Sequence, residues 1–401
     1  MTRIERLNLR GEGIAGGVTV ARALPGELVE GEALAGRIAQ PKIVTPSADR
    51  VAAPCRHYRA CGGCALQHAS DGFVEAWKTA VVRQALAGQG LEAPFRPTLT
   101  SPAGSRRRAT LAGRRLKSGA LVGFHGRASD SVTAIPDCRL LDPALIAALP
   151  ALEALVAEGG SRKGELRLTV TLYPQGIDVA VEDGKPLDRA LRQSLPQIAG
   201  AHRLARLTWN GEGLFQDQPP MLAMGRARVS PPPGAFLQAT PQGEAALLAA
   251  VREAVGAARR VVDLFAGCGT FALPLAETAE VHAVEGAAPM LAALDLGWRN
   301  AAGLKKVTTE ARDLFRRPLL PDELRAFGAV VIDPPRAGAE AQIAELAASG
   351  VPVIAHVACN PVTFARDARA LVQAGYRLDW VQVVDQFRWS AHVELAARFS
   401  R

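Results

Sequence analysis

The sequence predicts an α/β protein of three units: a small N-terminal β-barrel, a central α+β region and a C-terminal domain built on a parallel sheet. A chain of 401 residues is too long for one ordinary core. Short apolar stretches broken by glycine and proline fill the first part, whereas apolar strands alternate with Ala- and Leu-rich helical stretches in the last part. We place the units at residues 1–50, 51–230 and 231–401.

The amino-acid composition and the net charge indicate the general class of protein and of partner. Hydrophobic residues make up 48% and charged residues 21% of the chain, as in globular proteins. No run of about 18 apolar residues occurs, and the charged N-terminus lacks the apolar stretch of a signal peptide. We therefore expect a cytoplasmic protein that makes no membrane contact and acts as a monomer. The net charge of +8 favours a polyanionic partner.

The first unit is predicted from residues 11–17 and 24–29, where glycine and proline separate short apolar segments as in small β-barrels. The central unit contains an alternating strand over residues 166–172. It also contains a basic stretch between residues 95 and 129 that has no Asp or Glu, and this pattern indicates a surface that follows phosphate groups. The basic residues are Arg96, Arg106, Arg107, Arg108, Arg114, Arg115, Lys117 and Arg127.

Four of the six cysteines form a pattern in the central unit. Cys55, Cys61 and Cys64 have the spacing Cys-x5-Cys-x2-Cys with two flanking glycines, and Cys138 follows. Disulfides are improbable in a cytosolic chain, so clustered thiols indicate a metal or a metal cluster. Four cysteines suit either structural zinc or an iron–sulfur cluster, and the spacing leaves both open.

The C-terminal unit begins after the turn at residues 231–234, with a helix predicted over residues 243–255. Three apolar strands there end in chemically distinctive segments, at residues 265–270, 333–336 and 359–361. Because carboxyl ends of parallel strands meet at one edge of a sheet, we expect these segments to line one crevice. Cys359 follows the last of these strands and is a candidate nucleophile.

The glycine loop at residues 267–272 has the form G-x-G-x-x-A, which allows a tight turn and close approach of a ligand to the backbone. Glu285 ends the next predicted strand and could hold the hydroxyls of a ribose. NAD and S-adenosylmethionine both present such a ribose. The segments containing Asp333 and Cys359 do not belong to a dehydrogenase pattern, and they favour S-adenosylmethionine. We take Cys268, inside the loop, as structural.

Together these residues resemble the class I methyltransferases that form 5-methyluridine in RNA, especially the bacterial iron–sulfur members acting on large-subunit ribosomal RNA. The resemblance implies a Rossmann-like methyltransferase domain and an N-terminal TRAM domain, which is an oligonucleotide-binding barrel. It implies that S-adenosylmethionine is bound by Gln238, Phe265, Gly267, Gly269, Thr270, Glu285, Asp313 and Asp333. It implies a 4Fe–4S cluster, with zinc as the alternative, held by Cys55, Cys61, Cys64 and Cys138.

The same resemblance implies a reaction at C5 of a uridine in 23S rRNA, with Cys359 as the nucleophile and Glu394 as the general base. We therefore expect a lowered pKa for the Cys359 thiol. Tyr58, Phe124 and Trp389 are candidates for stacking on displaced bases. Two departures concern RNA contacts: the barrel is short, and Arg388 stands where the family has proline after Asp-Gln-Phe.

Two other readings remain. One is a methyltransferase with the same fold that acts on tRNA uracil or on RNA cytosine. Family members acting on tRNA generally lack the barrel and the cysteine set, which favours ribosomal RNA. The other is a non-catalytic RNA-binding protein with a relic methylase domain, which the presence of Cys359, Glu394 and the glycine loop argues against.

Overall fold

The computed structural model describes residues 1–401, and seven short strands form its N-terminal unit. They are β1 Thr2–Arg3, β2 Arg6–Leu7, β3 Gly13–Ala15, β4 Val18–Val20, β5 Leu28–Glu30, β6 Arg37–Ile38 and β7 Lys42–Thr45. One sheet has the order β1-β5-β7 and the other β2-β3-β4-β6. Both sheets surround a small apolar core that contains Val20 and Val29. Short strands around a small core of their own agree with the small β unit that the sequence predicts.

The central region contains one seven-stranded sheet with three helices packed on it, and one further helix and one further strand that precede this sheet in the chain. Its elements are α1 Asp71–Ala87, β8 Leu99–Thr100, β9 Arg108–Arg115, β10 Ala120–His125, β11 Val132–Ala134, α2 Pro143–Ala147, α3 Leu149–Gly159, β12 Leu166–Tyr173, β13 Gly176–Glu182, α4 Arg189–Ala201, β14 Arg206–Trp209 and β15 Glu212–Gln216. The sheet order is β11-β10-β9-β12-β13-β14-β15. Helices α2, α3 and α4 contact this sheet, and the core between them includes Leu152 and Trp209.

The C-terminal region is a mixed sheet flanked by helices. Its elements are β16 Leu222–Met224, β17 Ala227–Val229, α5 Pro241–Val255, β18 Arg260–Leu264, α6 Ala272–Leu275, β19 Glu280–Glu285, α7 Ala288–Arg299, β20 Val307–Ala311, α8 Pro321–Leu324, β21 Ala329–Ile332, α9 Glu340–Ser349, β22 Val353–Ala358, α10 Pro361–Gln373, β23 Arg377–Asp385 and β24 Glu394–Ser400. The sheet order is β20-β19-β18-β21-β22-β24-β23-β8. The predicted α/β architecture is confirmed.

Strands β18 to β22 pair in parallel, whereas β24 lies antiparallel between β22 and β23. Strand order reverses between β18 and β21, which are neighbours, and ligands bind at such a switch point in open α/β sheets. Because β24 runs in the opposite direction, its first residue lies at the same edge as the ends of the parallel strands. This places Glu394 beside the crevice.

Two elements from the central part of the chain pack on the C-terminal sheet. Helix α1 contacts α10, and β8 pairs in parallel with β23 at the edge of the sheet. The C-terminal domain is therefore completed by residues that precede the seven-stranded sheet in the chain. The boundaries at residues 50 and 230 stay predictions.

No helix in the structure combines the length and the apolar character needed to cross a bilayer.

Candidate active site

Cys359 lies where β22 ends and α10 begins. Asn360 is the N-cap of α10, because its side-chain oxygen accepts a hydrogen bond from the Val362 backbone N–H at 3.1 Å, and Pro361 occupies the first helical turn. The Asn360 side-chain amide also donates to the Arg336 carbonyl at 3.0 Å. The Asn-Pro pair therefore fixes the backbone after Cys359 and ties it to the segment after β21.

A cavity of about 890 Å³ opens at the carboxyl ends of β18, β19, β21 and β22. The sequence-predicted residues that line it are Gln238, Phe265, Gly267, Thr270, Glu285, Asp313, Asp333, Cys359 and Glu394. Gly269 is not among the lining residues, and its contact with a cofactor stays a prediction. The structure thus brings together residues that are up to 156 positions apart in the chain (394 minus 238).

The glycine loop has backbone conformations that favour glycine. Gly267 and Gly269 have φ of +56° and +99°, and a Cβ on Gly269 would lie 2.8 Å from the Leu273 side chain. The Glu285 carboxylate accepts hydrogen bonds from the backbone N–H groups of Gly267 and Ala287, at 3.0 and 2.8 Å. Both glycines therefore shape the loop, and Glu285 connects it to β19.

A chain of side-chain hydrogen bonds crosses the floor of the cavity. The Gln238 amide donates to Asp333 Oδ2 at 3.3 Å, and the Gln386 amide donates to Gln238 Oε1 at 2.6 Å and to Glu394 Oε2 at 2.9 Å. Gln386 Oε1 accepts from the Ala239 backbone N–H at 2.8 Å, which fixes the orientation of its amide. The carboxyl groups of Asp333 and Glu394 are thus connected through Gln238 and Gln386, and the donor and the acceptor of each hydrogen bond are identified.

Burial raises the pKa of Glu394, and the Asp333 carboxylate nearby raises it further, whereas the hydrogen bond from Gln386 acts in the opposite direction. Burial likewise raises the pKa of Asp333. Burial raises the pKa of Cys359 to about 11, with Glu394 and Asp333 adding to it and Arg336 opposing it. The expectation of a lowered Cys359 pKa is therefore wrong for the protein groups alone, because burial raises the pKa of the thiol most and the two acids add to it.

A second cavity, of about 700 Å³, meets the first one at Cys359. It draws lining residues from the barrel, the cysteine loop, the central sheet and the C-terminal domain. No Asp or Glu lines it, and its lining includes four arginines: Arg10, Arg106, Arg127 and Arg336. Cys359 and Arg336 line both cavities, so a group held in either one reaches the thiol.

Several arginines of the basic stretch have partners within the protein, whereas Arg106 and Arg127 line the second cavity. The phosphate-following surface stays a prediction. Ion pairs join Arg96 to Glu253, Arg107 to Glu244 and Arg114 to Glu165. Arg107 and Arg108 also donate to the carbonyls of residues 234, 235 and 238, and so hold the loop that contains Gln238. The partners lie far away in the sequence, which is why the stretch looks unpaired there.

The four clustered cysteines line one small cavity together with Tyr58, Gln67 and Phe124. All four are free thiols. Burial raises the pKa of Cys61 and Cys138, and that of Cys64 to about 12, with the neighbouring thiols adding to it. No group of three or more His, Cys, Asp or Glu side chains is arranged so that it could hold a metal ion.

The three aromatic residues that were predicted to stack on bases lie in different environments. Phe124 lines the second cavity, as stacking would require. Tyr58 and Trp389 are 5% and 7% exposed and pack with Cys64 and Leu140. Their predicted role in base stacking is therefore wrong. Phe315, which the sequence analysis missed, lies 5.5 Å from Phe265 between ring centroids at the first cavity, and it has no motif that would have revealed it.

Similar proteins align with nearly the whole chain, and a family model matches its C-terminal part. The profile of the tRNA (Uracil-5-)-methyltransferase family matches residues 232–401. A Rhizobium meliloti protein described as an uncharacterized RNA methyltransferase is 43% identical, covering 99% of this chain and 98% of the relative. The 23S rRNA (uracil(1939)-C(5))-methyltransferase RlmD of Halomonas elongata is 35% identical, covering 94% of this chain and 83% of the relative.

Among solved structures, the Pyrococcus abyssi tRNA (uracil-54, C5)-methyltransferase, crystallised with S-adenosyl-L-homocysteine, superposes with a TM-score of 0.76 at 23% identity. The match covers 99% of this chain and 98% of the archaeal one. An enzyme named for tRNA therefore shares the architecture of the entire chain, and the presence of a barrel does not by itself favour ribosomal RNA. The fold, the shared crevice and the full-length relatives show that this chain belongs to the RNA (uracil-5-)methyltransferase family.

Proposed function

We propose that the protein transfers a methyl group from S-adenosylmethionine to C5 of a uridine in 23S rRNA, through a covalent bond between Cys359 and C6 of the base. One observation carries the proposal: Cys359 lies at the junction of a cofactor-sized cavity and an arginine-lined cavity, and Glu394 lines the first of these two cavities. Incubation of an unmodified 23S rRNA transcript with the enzyme and S-adenosylmethionine, followed by nucleoside analysis, tests the reaction.

S-adenosylmethionine fits the first cavity. The carboxylate of Glu285 lies at the end of β19, where ribose hydroxyls can donate to it, and Phe265 and Phe315 offer apolar ring surface for an adenine. Asp333 and Glu394 provide negative charge at the deep end of the cavity, near Cys359. A sulfonium there supplies an electrophilic methyl group, and its positive charge favours ionisation of the thiol and of both acids.

Glu285→Ala is expected to weaken S-adenosylmethionine binding by about 10- to 100-fold, because hydrogen bonds to a charged group contribute roughly 1.5–3 kcal/mol. Calorimetry measures the change. Glu280→Ala is the matched control, since Glu280 is an exposed acid at the opposite end of the same strand and its affinity should equal that of the wild type. Equal binding by Glu285→Ala, or binding of NAD by the wild type, would overturn the cofactor assignment.

The chemistry begins at Cys359. Its thiolate adds to C6 of uracil, the C5–C6 π electrons move toward O4, and C5 becomes nucleophilic. C5 then takes the methyl carbon, and the cofactor sulfur keeps the bonding electrons. Glu394 removes the proton from C5, whose electrons restore the C5–C6 double bond as the C6–S bond breaks and the thiolate leaves. The raised pKa of Glu394 suits a base that must hold this proton.

The second cavity is the proposed position of the target nucleotide and its neighbours. Its four arginines can pair with phosphates, and Phe124 can stack on a base. The uracil must leave any stack to reach Cys359, which costs a few kcal/mol and favours a loop or a partly unpaired target. The Halomonas relative, named for 23S rRNA and aligned over 94% of this chain, supports ribosomal RNA as the substrate.

The four cysteines fit an iron–sulfur cluster. Their thiols line one cavity, and burial disfavours the thiolates of Cys61, Cys64 and Cys138 unless cations neutralise them. Four cysteines also suit structural zinc, which is the alternative. We propose that Cys55, Cys61, Cys64 and Cys138 hold an oxygen-sensitive 4Fe–4S cluster that fixes the loop against the C-terminal domain.

Anaerobically purified protein is expected to contain about four iron and four sulfide ions per chain, and Cys138→Ser should lose most of both. Iron, sulfide and zinc analysis measures the content. Cys268→Ser is the matched control, because Cys268 is a buried thiol outside the cysteine cavity. Stoichiometric zinc without sulfide would contradict the iron–sulfur assignment and leave a zinc site.

A further inference from the structure

Lys78 is a fully buried lysine that the reaction described above does not use. Its side chain and that of Asp385 have 0% exposure, and Lys78 Nζ donates to Asp385 Oδ1 at 2.6 Å. It also donates to the Phe387 carbonyl at 3.2 Å, while the Phe387 backbone N–H donates to the same Asp385 oxygen at 3.1 Å. One ammonium group thus holds the residues on both sides of Gln386.

Gln386 is the residue that contacts the proposed base. Its amide donates to Glu394 Oε2 at 2.9 Å and accepts from the Ala239 N–H at 2.8 Å. A change in the backbone at residues 385–387 therefore moves the group that orients the Glu394 carboxylate. The Gln386 oxygen accepts from Ala239, and its NH₂ group donates to Gln238 and Glu394. Gln386 therefore has no further donor that could replace a lost hydrogen bond to Glu394.

Helix α1 holds the same loop at a second point. Asp71, in its first turn, pairs with Arg388 at 2.6 Å, and Arg388 also donates to the Ser101 carbonyl at 3.3 Å. The family resemblance leads to an expected proline at position 388, and in this chain one ion pair to α1 and one hydrogen bond to Ser101 restrain the loop there instead. The loop that precedes Glu394 is thus fixed by α1, which lies outside the matched region 232–401.

We infer that Lys78 is a positioning residue for Glu394, because it fixes Asp385 and Phe387 and thereby sets the Gln386 amide that orients the carboxylate toward the C5 proton. The inference rests on the proposed function. It predicts a specific defect: methyl transfer to C5 can proceed without Lys78, whereas removal of the C5 proton and release of Cys359 become slow.

The alternative is that Lys78 only neutralises the buried Asp385. Removing one member of a buried ion pair leaves an uncompensated charge, whereas removing both charges is often neutral for stability. Lys78→Met/Asp385→Asn removes both charges and keeps an oxygen at position 385 that can accept from the Phe387 N–H. Asp385→Asn is the matched reference, because the two variants differ only at Lys78 and the lysine amine can still donate to Phe387.

The experiment uses the full-length cluster-containing protein, unmodified 23S rRNA transcript and S-adenosylmethionine. It measures single-turnover methyl transfer, multiple turnover, the covalent protein–RNA band on a denaturing gel, and the thermal midpoint. Compared with Asp385→Asn, the double variant should turn over at least about tenfold more slowly and accumulate the covalent band, with methyl transfer nearly unchanged. Lys78→Gln/Asp385→Asn retains a donor at position 78, so it should recover part of the turnover, and it replaces the methionine variant if that one does not fold.

Equal turnover of the double variant and Asp385→Asn, without a covalent band, would overturn the role of Lys78 and leave charge neutralisation. Slower methyl transfer with no band would also overturn it, because the defect would then precede the base. The proposed function fails separately: it fails if the wild-type enzyme forms no 5-methyluridine, or if Cys359→Ala forms it at the wild-type rate.

Discussion

Cys359→Ala is expected to abolish methylation, lowering turnover on the order of 10⁴-fold or more. Without the thiolate, nothing adds to C6 and C5 of uracil stays a poor nucleophile toward the methyl group. The loss should appear in turnover and not in binding, because Cys359 lines the cofactor cavity without holding any hydrogen-bonded network there. Tritium transfer from labelled S-adenosylmethionine to the 23S rRNA transcript measures the rate, and calorimetry measures cofactor affinity.

Cys268→Ala is the matched control for this result. Cys268 lines the same cavity, is 1% exposed, and has a pKa that burial raises to about 12. A thiol in that state is a packing group, so the variant should retain turnover within about threefold if its fold is intact. Normal turnover by Cys359→Ala would mean that the covalent mechanism is wrong.

Glu394→Gln should fail at a different step and trap the enzyme on its RNA. The glutamine amide cannot accept the C5 proton, so the methylated adduct keeps its C6–S bond. A heat-stable band of retarded mobility should appear on a denaturing gel with labelled RNA, and the band should require Cys359. Turnover should fall at least about 10²-fold, the lower range of general-base effects.

His392 is the control for this assignment, because it is the other titratable residue of the loop and lines the second cavity. Burial lowers the pKa of His392, and the nearby Arg336 lowers it further, so the neutral imidazole is a conceivable base. His392→Ala should turn over without a covalent band. A band in His392→Ala, together with normal turnover in Glu394→Gln, would transfer the role of base to the histidine.

The fold could be predicted from the sequence because its strands are continuous apolar runs that end in distinctive turns. The predicted helix over 243–255 is α5 Pro241–Val255, whose N-cap Thr240 accepts from the Gly243 N–H at 3.0 Å. The crevice could be predicted for the same reason, since parallel strands of one sheet end at one edge. A glycine that the backbone requires, such as Gly269, looks the same in sequence as one that approaches a ligand, so its predicted contact with the cofactor stays a prediction.

Long-range pairing could not be read from the sequence. Arg107 and Glu244 are 137 positions apart, and Lys78 and Asp385 are 307 apart, so neither pair leaves a local pattern. The pKa of Cys359 was predicted in the wrong direction for the same reason. Burial raises this pKa most, and Glu394 and Asp333 raise it further. Glu394 lies near the thiol because β24 runs antiparallel beside β22, whereas Asp333 follows the parallel strand β21.

The most direct test of the central claim is 5-methyluridine mapping in separated 23S rRNA and tRNA from a deletion strain complemented with wild-type enzyme or with Cys359→Ala. We predict that the deletion removes 5-methyluridine from 23S rRNA, that the wild-type gene restores it, and that Cys359→Ala does not. Unchanged 23S rRNA with loss from tRNA would contradict the assigned substrate, and restoration by Cys359→Ala would contradict the mechanism.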